Sequence, residues 1–253
     1  MQRQTSPVLD GRTVVITRPA GTAASLARRV RACGGVPMLL PGLSLRGVSD
    51  QAAARAAFGQ ALGGDLLIFA SPAAVAFAAA LAPLVSSAAV LAVGRATAGA
   101  LYRRGLRAAP VSARQDSEGL LDHPALREVA GKRVALIGAA GGRGLLSEQL
   151  TARGAQLCEV HVYQRVAPRL NRRHLDALAQ LPTSARILLS SAQALHHLCR
   201  LLPPPALAHL RAATIVVSSE RLAMAASAAG FGRVVRAASA LSADLLDAAA
   251  RAA

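Results

Sequence analysis

Short apolar runs alternate with longer helical patterns along this chain, and turn residues separate them. The runs Val14-Val-Ile16, Leu66-Leu-Ile-Phe69, Val90-Leu-Ala-Val93, Val134-Ala-Leu-Ile137, Ile187-Leu-Leu189 and Ile215-Val-Val217 contain no polar position. A strand with one wet face alternates apolar and polar residues, whereas a strand covered on both faces does not. The pattern therefore predicts parallel strands buried beneath helices on both sides. Glycine follows several of the helical stretches, at Gly34, Gly105, Gly154 and Gly230, where a helix stop is expected.

The runs recur in order. Gly11-Arg-Thr-Val-Val-Ile16 matches Gly131-Lys-Arg-Val-Ala-Leu136, an offset of about 120 positions, and the same offset pairs Leu66-Leu-Ile-Phe-Ala-Ser71 with Arg186-Ile-Leu-Leu-Ser-Ser191. With a slip of a few residues, Val90-Leu-Ala-Val-Gly94 aligns with Thr214-Ile-Val-Val-Ser218. A duplicated series of strand–turn–helix units predicts an α/β protein of two related doubly wound parallel-sheet domains, with right-handed crossovers. Between the copies lies Ser112 to Ala130, the simplest boundary; exchange of elements between the copies stays open.

Length and composition leave that picture standing. The 253 residues suffice for two cores, and 53% hydrophobic against 17% charged residues excludes a disordered chain. No charge occurs between Asp65 and Arg95, but Ser71-Pro72, Pro83 and Ser86-Ser87 cut this interval into pieces too short to span a bilayer. Cys33, Cys158 and Cys199 are scattered, odd in number and without a CxxC pair, which predicts reduced thiols in a cytoplasm. The net charge of +16 permits an anionic ligand without identifying one. Arginine supplies nearly all of it, with Lys132 the sole lysine, and no basic run is interleaved with aromatics as in a single-strand binder.

Ligands of open parallel sheets bind beyond the carboxyl ends of the strands, at helix N-termini. The candidate turns are Thr17-Arg18-Pro19, Ala70-Ser71-Pro72, Gly94-Arg95-Ala96-Thr97, Gly138 to Gly144, Ser190-Ser191 and Ser218-Ser219. Ser71-Pro72 has a structural account of its own, serine as N-cap and proline at the first helical position. The glycines from Gly138 to Gly144 fit neither GxGxxG nor a P-loop, leaving a backbone nest for another anion beside Arg143. His196-His197 lacks HExxH spacing, no GxSxG occurs, and no strand end carries a carboxylate. Tyr163, one of two tyrosines, closes a strand; either it is a packed ring with a satisfied hydroxyl or it acts chemically.

Together the segments Val15-Ile-Thr-Arg-Pro19, Ile68-Phe-Ala-Ser-Pro72, Val93-Gly-Arg-Ala-Thr-Ala98, Ser117-Glu-Gly-Leu-Leu121, Gly141-Gly-Arg143, Val162-Tyr-Gln-Arg165 and Ser218-Ser-Glu-Arg221 resemble the uroporphyrinogen-III synthase family. The resemblance implies two parallel α/β domains joined by a two-stranded connector, with a substrate cleft between them. It places about Met1 to Val36 with Ala167 to Ala253 in one domain and Pro37 to Val166 in the other. The implied reaction is dehydration and cyclisation of hydroxymethylbilane, inverting ring D through a spiro intermediate, which is mainly positioning work. Tyr163 becomes the donor or acid assisting departure of the hydroxyl. Ser71 and Thr97 become substrate contacts, and Arg18, Arg143, Ser190 and Ser191 carboxylate partners for a substrate with eight carboxylates. No metal or cofactor, no nucleic acid and no membrane are implied. A cytoplasmic monomer is, with transient contact to the preceding pathway enzyme. The chain departs from the family pattern at Ala70 (usually threonine), Gly138 (often arginine) and Gly144 (commonly glutamate). A two-domain module that binds a small anion without catalysis is the competing reading, and nucleic-acid binding through the arginine excess a third.

Overall fold

The computed structural model describes residues 8–110, 114, 116–141 and 144–252. Its elements run β1 (Thr13–Ile16), α1 (Ala24–Ala32), β2 (Val36–Leu39), β3 (Ser44–Gly47), α2 (Gln51–Leu62), β4 (Leu66–Phe69), α3 (Pro72–Leu81), β5 (Ala89–Ala92), α4 (Arg95–Tyr102) and α5 (Ser117–Leu121). There follow β6 (Arg133–Ala139), α6 (Leu145–Ala152), β7 (Gln156–Val166), α7 (Arg172–Ala179), β8 (Arg186–Leu189), α8 (Ala192–Leu201), α9 (Pro204–Arg211), β9 (Thr214–Val217), α10 (Glu220–Ala228), β10 (Val234–Arg236) and α11 (Ser242–Arg251).

The chain divides into two compact units, Met1–Ser44 with Val166–Ala253, and Leu45–Arg165. The first carries a sheet in the order β10-β9-β8-β1-β2, all neighbours parallel. The second carries β3-β7-β6-β4-β5, with the pairs among β7, β6, β4 and β5 parallel. The repeat explains both orders. Strands β1 and β6, β2 and β7, β8 and β4, and β9 and β5 hold equivalent places, so each sheet takes its strands from both copies. The boundary at Ser112 to Ala130 therefore does not divide the units: α4 before it and β6 after it both belong to the second.

The chain passes between the units at Ser44–Leu45 and Arg165–Val166, within β3 and β7. The first crossing comes later than the expected break after Val36. Residues Val36 to Leu39 instead form β2, an edge strand pairing Thr13 with Val36 and Ile16 with Leu39, and Leu40 and Leu43 follow into the same core. An edge position is where a strand tolerates Pro37.

Each sheet buries both faces. On β4, Leu67 and Phe69 enter one core and Leu66 and Ile68 the other; on β1, Val15 faces one way and Val14 and Ile16 the other. All four residues of β4, β8 and β9 are buried, which is why Leu66–Phe69, Ile187–Leu189 and Ile215–Val217 read as unbroken apolar runs. The uncharged interval from Asp65 to Arg95 resolves into β4, α3 and β5, and among the described residues no helix is long and apolar enough to cross a membrane.

Candidate functional site

A cavity of about 430 Å³ opens in the second unit, beyond the carboxyl ends of β4, β5 and β6. Ala70 and Ser71 after β4, Val93 after β5, Gly138 and Ala139 of β6, and Glu159, His161, Tyr163 and Arg165 of β7 line it. Along β7 the exposed Glu159 and His161 alternate with the buried Val160 and Val162, and Tyr163 is buried in the same core as those two valines. The parallel register slips at this point, from Gly138↔His161 to Ala139↔Tyr163, so Val162 is an extra residue and Tyr163 is carried past the regular ladder.

Tyr163 is held on three sides. Its ring stacks on Phe77 of α3 at 5.3 Å between centroids and 16° between planes, and the Arg165 guanidinium lies 5.9 Å from its centroid. Its hydroxyl lies 3.2 Å from Ser71 Oγ. Ser71 is the N-cap of α3, its Oγ accepting from the Ala74 amide at 3.1 Å, with Pro72 at the first helical position. Capping and a second polar contact thus coexist on one hydroxyl.

The cavity wall also carries carboxylates. Asp116 caps α5, accepting from the Gly119 amide at 2.8 Å, and pairs with Arg114 at 3.1 Å. The amide hydrogen bond, more than Arg114, holds this carboxyl below its ordinary value, and burial opposes the shift. A depressed carboxyl adds stability that is present above its unfolded value and lost as the pH falls through its folded one. The melting difference between the wild-type chain and Asp116→Ala should accordingly be largest at neutral pH and shrink below the ordinary value of 3.8. A difference that stayed constant from pH 7 to about pH 2 would contradict this.

The other expected residues are placed unevenly. Thr97 is buried and its Oγ donates to the Val93 carbonyl at 2.7 Å, so it holds the turn at Gly94 and does not line the cavity. Arg18, Ser190 and Ser191 belong to the first unit, just after the adjacent strands β1 and β8. Arg18 is half-buried, donates to the Ala240 carbonyl at 3.4 Å, and has its pKa lowered by burial first and Arg29 second. Ser191 caps α8 by accepting from the Ala194 amide at 3.3 Å, and Ser190 is exposed. Arg143 lies outside the described residues, as does part of the glycine-rich turn around it. Two of the departures are neighbours: a Cβ on Gly138 would sit 3.4 Å from the Ala70 Cβ, so both small residues widen the same cavity wall.

The acids on this wall carry no strand-end signal in the sequence: Glu159 lies inside the long β7, and Asp116 and Glu118 lie in the stretch between the two copies.

Parallel doubly wound sheets with a polar cavity beyond the strand ends define an α/β protein that acts on a small molecule. The sequence model of the family described as Uroporphyrinogen-III synthase HemD matches residues 24–247, and the chain belongs to this family. It is 32% identical to the uroporphyrinogen-III synthase of Escherichia coli over 234 residues, covering 87% of this chain and 92% of that one. The Salmonella typhimurium enzyme of the same name is 32% identical over 242 residues, with the same coverage. The fold is similar to the crystal structures of uroporphyrinogen-III synthetase from Helicobacter pylori (TM-score 0.61, 14% identity, 93% of this chain and 97% of that one) and of a mutant uroporphyrinogen III synthase from Thermus thermophilus (0.57, 19%, 95% and 98%).

Proposed function

We propose that this chain is a cyclising lyase that converts hydroxymethylbilane to uroporphyrinogen III in tetrapyrrole biosynthesis, as a cytoplasmic monomer, with Tyr163 assisting departure of the hydroxyl. The family match across residues 24–247 carries the reaction, and the Ser71–Tyr163 pair on the cavity wall supports the role of the phenol.

Hydrogen-bond accounting gives the role a mechanism. A serine hydroxyl has one proton and two lone pairs. With one lone pair taken by the Ala74 amide, Ser71 can still donate to the Tyr163 oxygen, which frees the phenolic proton for the cavity. A phenol that accepts one hydrogen bond is a stronger donor of the next. Water leaves with that proton, ring D closes on the resulting electrophile through its substituted carbon, and the spiro intermediate fragments and recloses as the type III isomer. A cavity of about 430 Å³ takes only part of a substrate with four pyrroles and eight carboxylates, so it suits the reacting rings. Arg18, Ser190 and Ser191 remain proposed partners for the peripheral carboxylates, and Thr97 supports the Gly94 turn in place of touching substrate.

The deciding experiment is incubation with hydroxymethylbilane followed by oxidation and chromatographic separation of the isomers. Type III product is expected; type I alone would overturn the proposal. Ser71→Ala should cost about 1 kcal/mol of stability through the lost cap and lower turnover several-fold through the lost partner of Tyr163. Unchanged turnover alongside the expected melting shift would confine Ser71 to capping.

A further inference from the structure

The cavity holds a second acid–base group that the role of Tyr163 leaves unused. His161 stands two positions before Tyr163 on β7 and lines the same cavity. Its Nε2 lies 3.3 Å from Glu159 Oε2, and Ser147 Oγ of α6 donates to Oε1 of that carboxylate. Ser147, Glu159 and His161 thus form one connected row along the wall. A carboxylate fixed beside one ring nitrogen favours the tautomer that carries its proton there. That leaves the Nδ1 lone pair available, since the imidazole has no other polar partner among the described residues.

We infer that His161 is a catalytic residue of the cyclisation, the acceptor of the proton lost in the closing step, and that Glu159 is its positioning residue. The inference rests on the reaction proposed above. In the last step the free α-carbon of ring D attacks the methylene carbon released from the spiro centre. The final carbon–carbon bond forms with a pyrrole electron pair, and ring D becomes cationic. His161 Nδ1 then takes the proton from that α-carbon, and the C–H pair returns to the ring and restores its aromaticity. The books balance: Tyr163 gave one proton to the departing hydroxyl, His161 gains one, and transfer from imidazolium to phenolate resets both. Water is the only other product.

The cavity's mixed character fits this division. The substrate's own carboxylates gain nothing from a wall that presents Glu159, Asp116 and Glu118. A ring that turns cationic during closure does gain from it.

The test uses the full chain and hydroxymethylbilane deuterated at the free α-carbon of ring D. His161→Ala should lose about 10²-fold in kcat, the usual contribution of a positioned base, with KM little changed. It should also show a primary isotope effect larger than that of the wild type, and added imidazole should restore part of the rate. Glu159→Gln should fall less and shift the isotope effect in the same direction. Wild-type kcat in His161→Ala would overturn the inference, as would a slow variant whose isotope effect stays at the wild-type value, since structural damage does not alter the sensitivity of one C–H bond. His161→Gln, which retains size and polarity, guards against misfolding and should show the same isotope effect. A wild-type chain that makes only the type I isomer removes the proposed function itself. An active wild type with an indifferent His161→Ala removes only this inference.

Discussion

Tyr163→Phe should lower formation of the type III isomer by about 10²-fold, the lower end of what a positioned acid contributes, while leaving the fold in place. The change removes one oxygen and keeps the ring. Stacking on Phe77 and packing with Val160 and Val162 persist, and Ser71 still caps α3. The one interaction lost is the 3.2 Å contact with Ser71, a cost of about 1 kcal/mol. A drop in rate far beyond any drop in folded fraction is therefore the signature of chemistry at the hydroxyl. Isomer-resolved product analysis measures the first, and thermal melting the second. If the variant turned over like the wild type, the phenol would be a packed ring and the donor would have to be sought elsewhere on the cavity wall.

The fold was legible from local patterns because burial on both faces leaves a mark on every strand position. Leu66 to Phe69 and Thr214 to Val217 are buried throughout, and their composition announces it. Which copy each strand joins was not legible from the repeat. An exchanged pair of sheets and an unexchanged one make the same demands on Val14 to Ile16, so the repeat left the exchange open and only the family resemblance implied it. The crossing at Ser44 escaped for a related reason. Edge strand β2 leaves Val36 and Leu39 exposed, and its pattern VPML carries no period that fixes its sheet.

The site was half legible. Ser71 and Tyr163 stand out as residue types at strand ends, and the cavity brings them together. Thr97 matches a family motif, yet its hydroxyl is spent on Val93, a use that no motif distinguishes from substrate contact. Glu159 and His161 belong to no motif, and β7, 11 residues long, outruns its neighbours, so residues within it reach the place where shorter strands end. Element length, which a short apolar run does not encode, decided what lines the cavity.

Arg186→Ala should be the most destabilising of these changes, and its reason lies in an asymmetry of the repeat. Arg186 aligns with Leu66, an ordinary core leucine of β4, yet it is itself 3% exposed. Burying a guanidinium is tolerable only when its donors are satisfied. Here they are: Nη2 donates to the Ala252 carbonyl at 2.7 Å, Nη1 to Ser184 at 2.7 Å, and Nε to Ala249 at 3.3 Å. Two of these acceptors lie at the end of α11, where a helix leaves its last carbonyls unpaired. The arginine thus fastens the C-terminal helix to the start of β8. Burial, then Arg12 and Arg233, lower its pKa, but a guanidinium remains charged at any working pH, so the fastening does not titrate away. Truncation leaves those carbonyls without a donor at about 1–3 kcal/mol each, and a loss of about 3 kcal/mol should lower the melting temperature by roughly 6–12 °C in a chain of this size. Arg186→Lys should recover little of it, because an ammonium lacks the fork that reaches Ala249, Ala252 and Ser184 together. Thermal melting of the three proteins decides the matter. A lysine variant as stable as the wild type would show that charge, and not the planar geometry, secures α11.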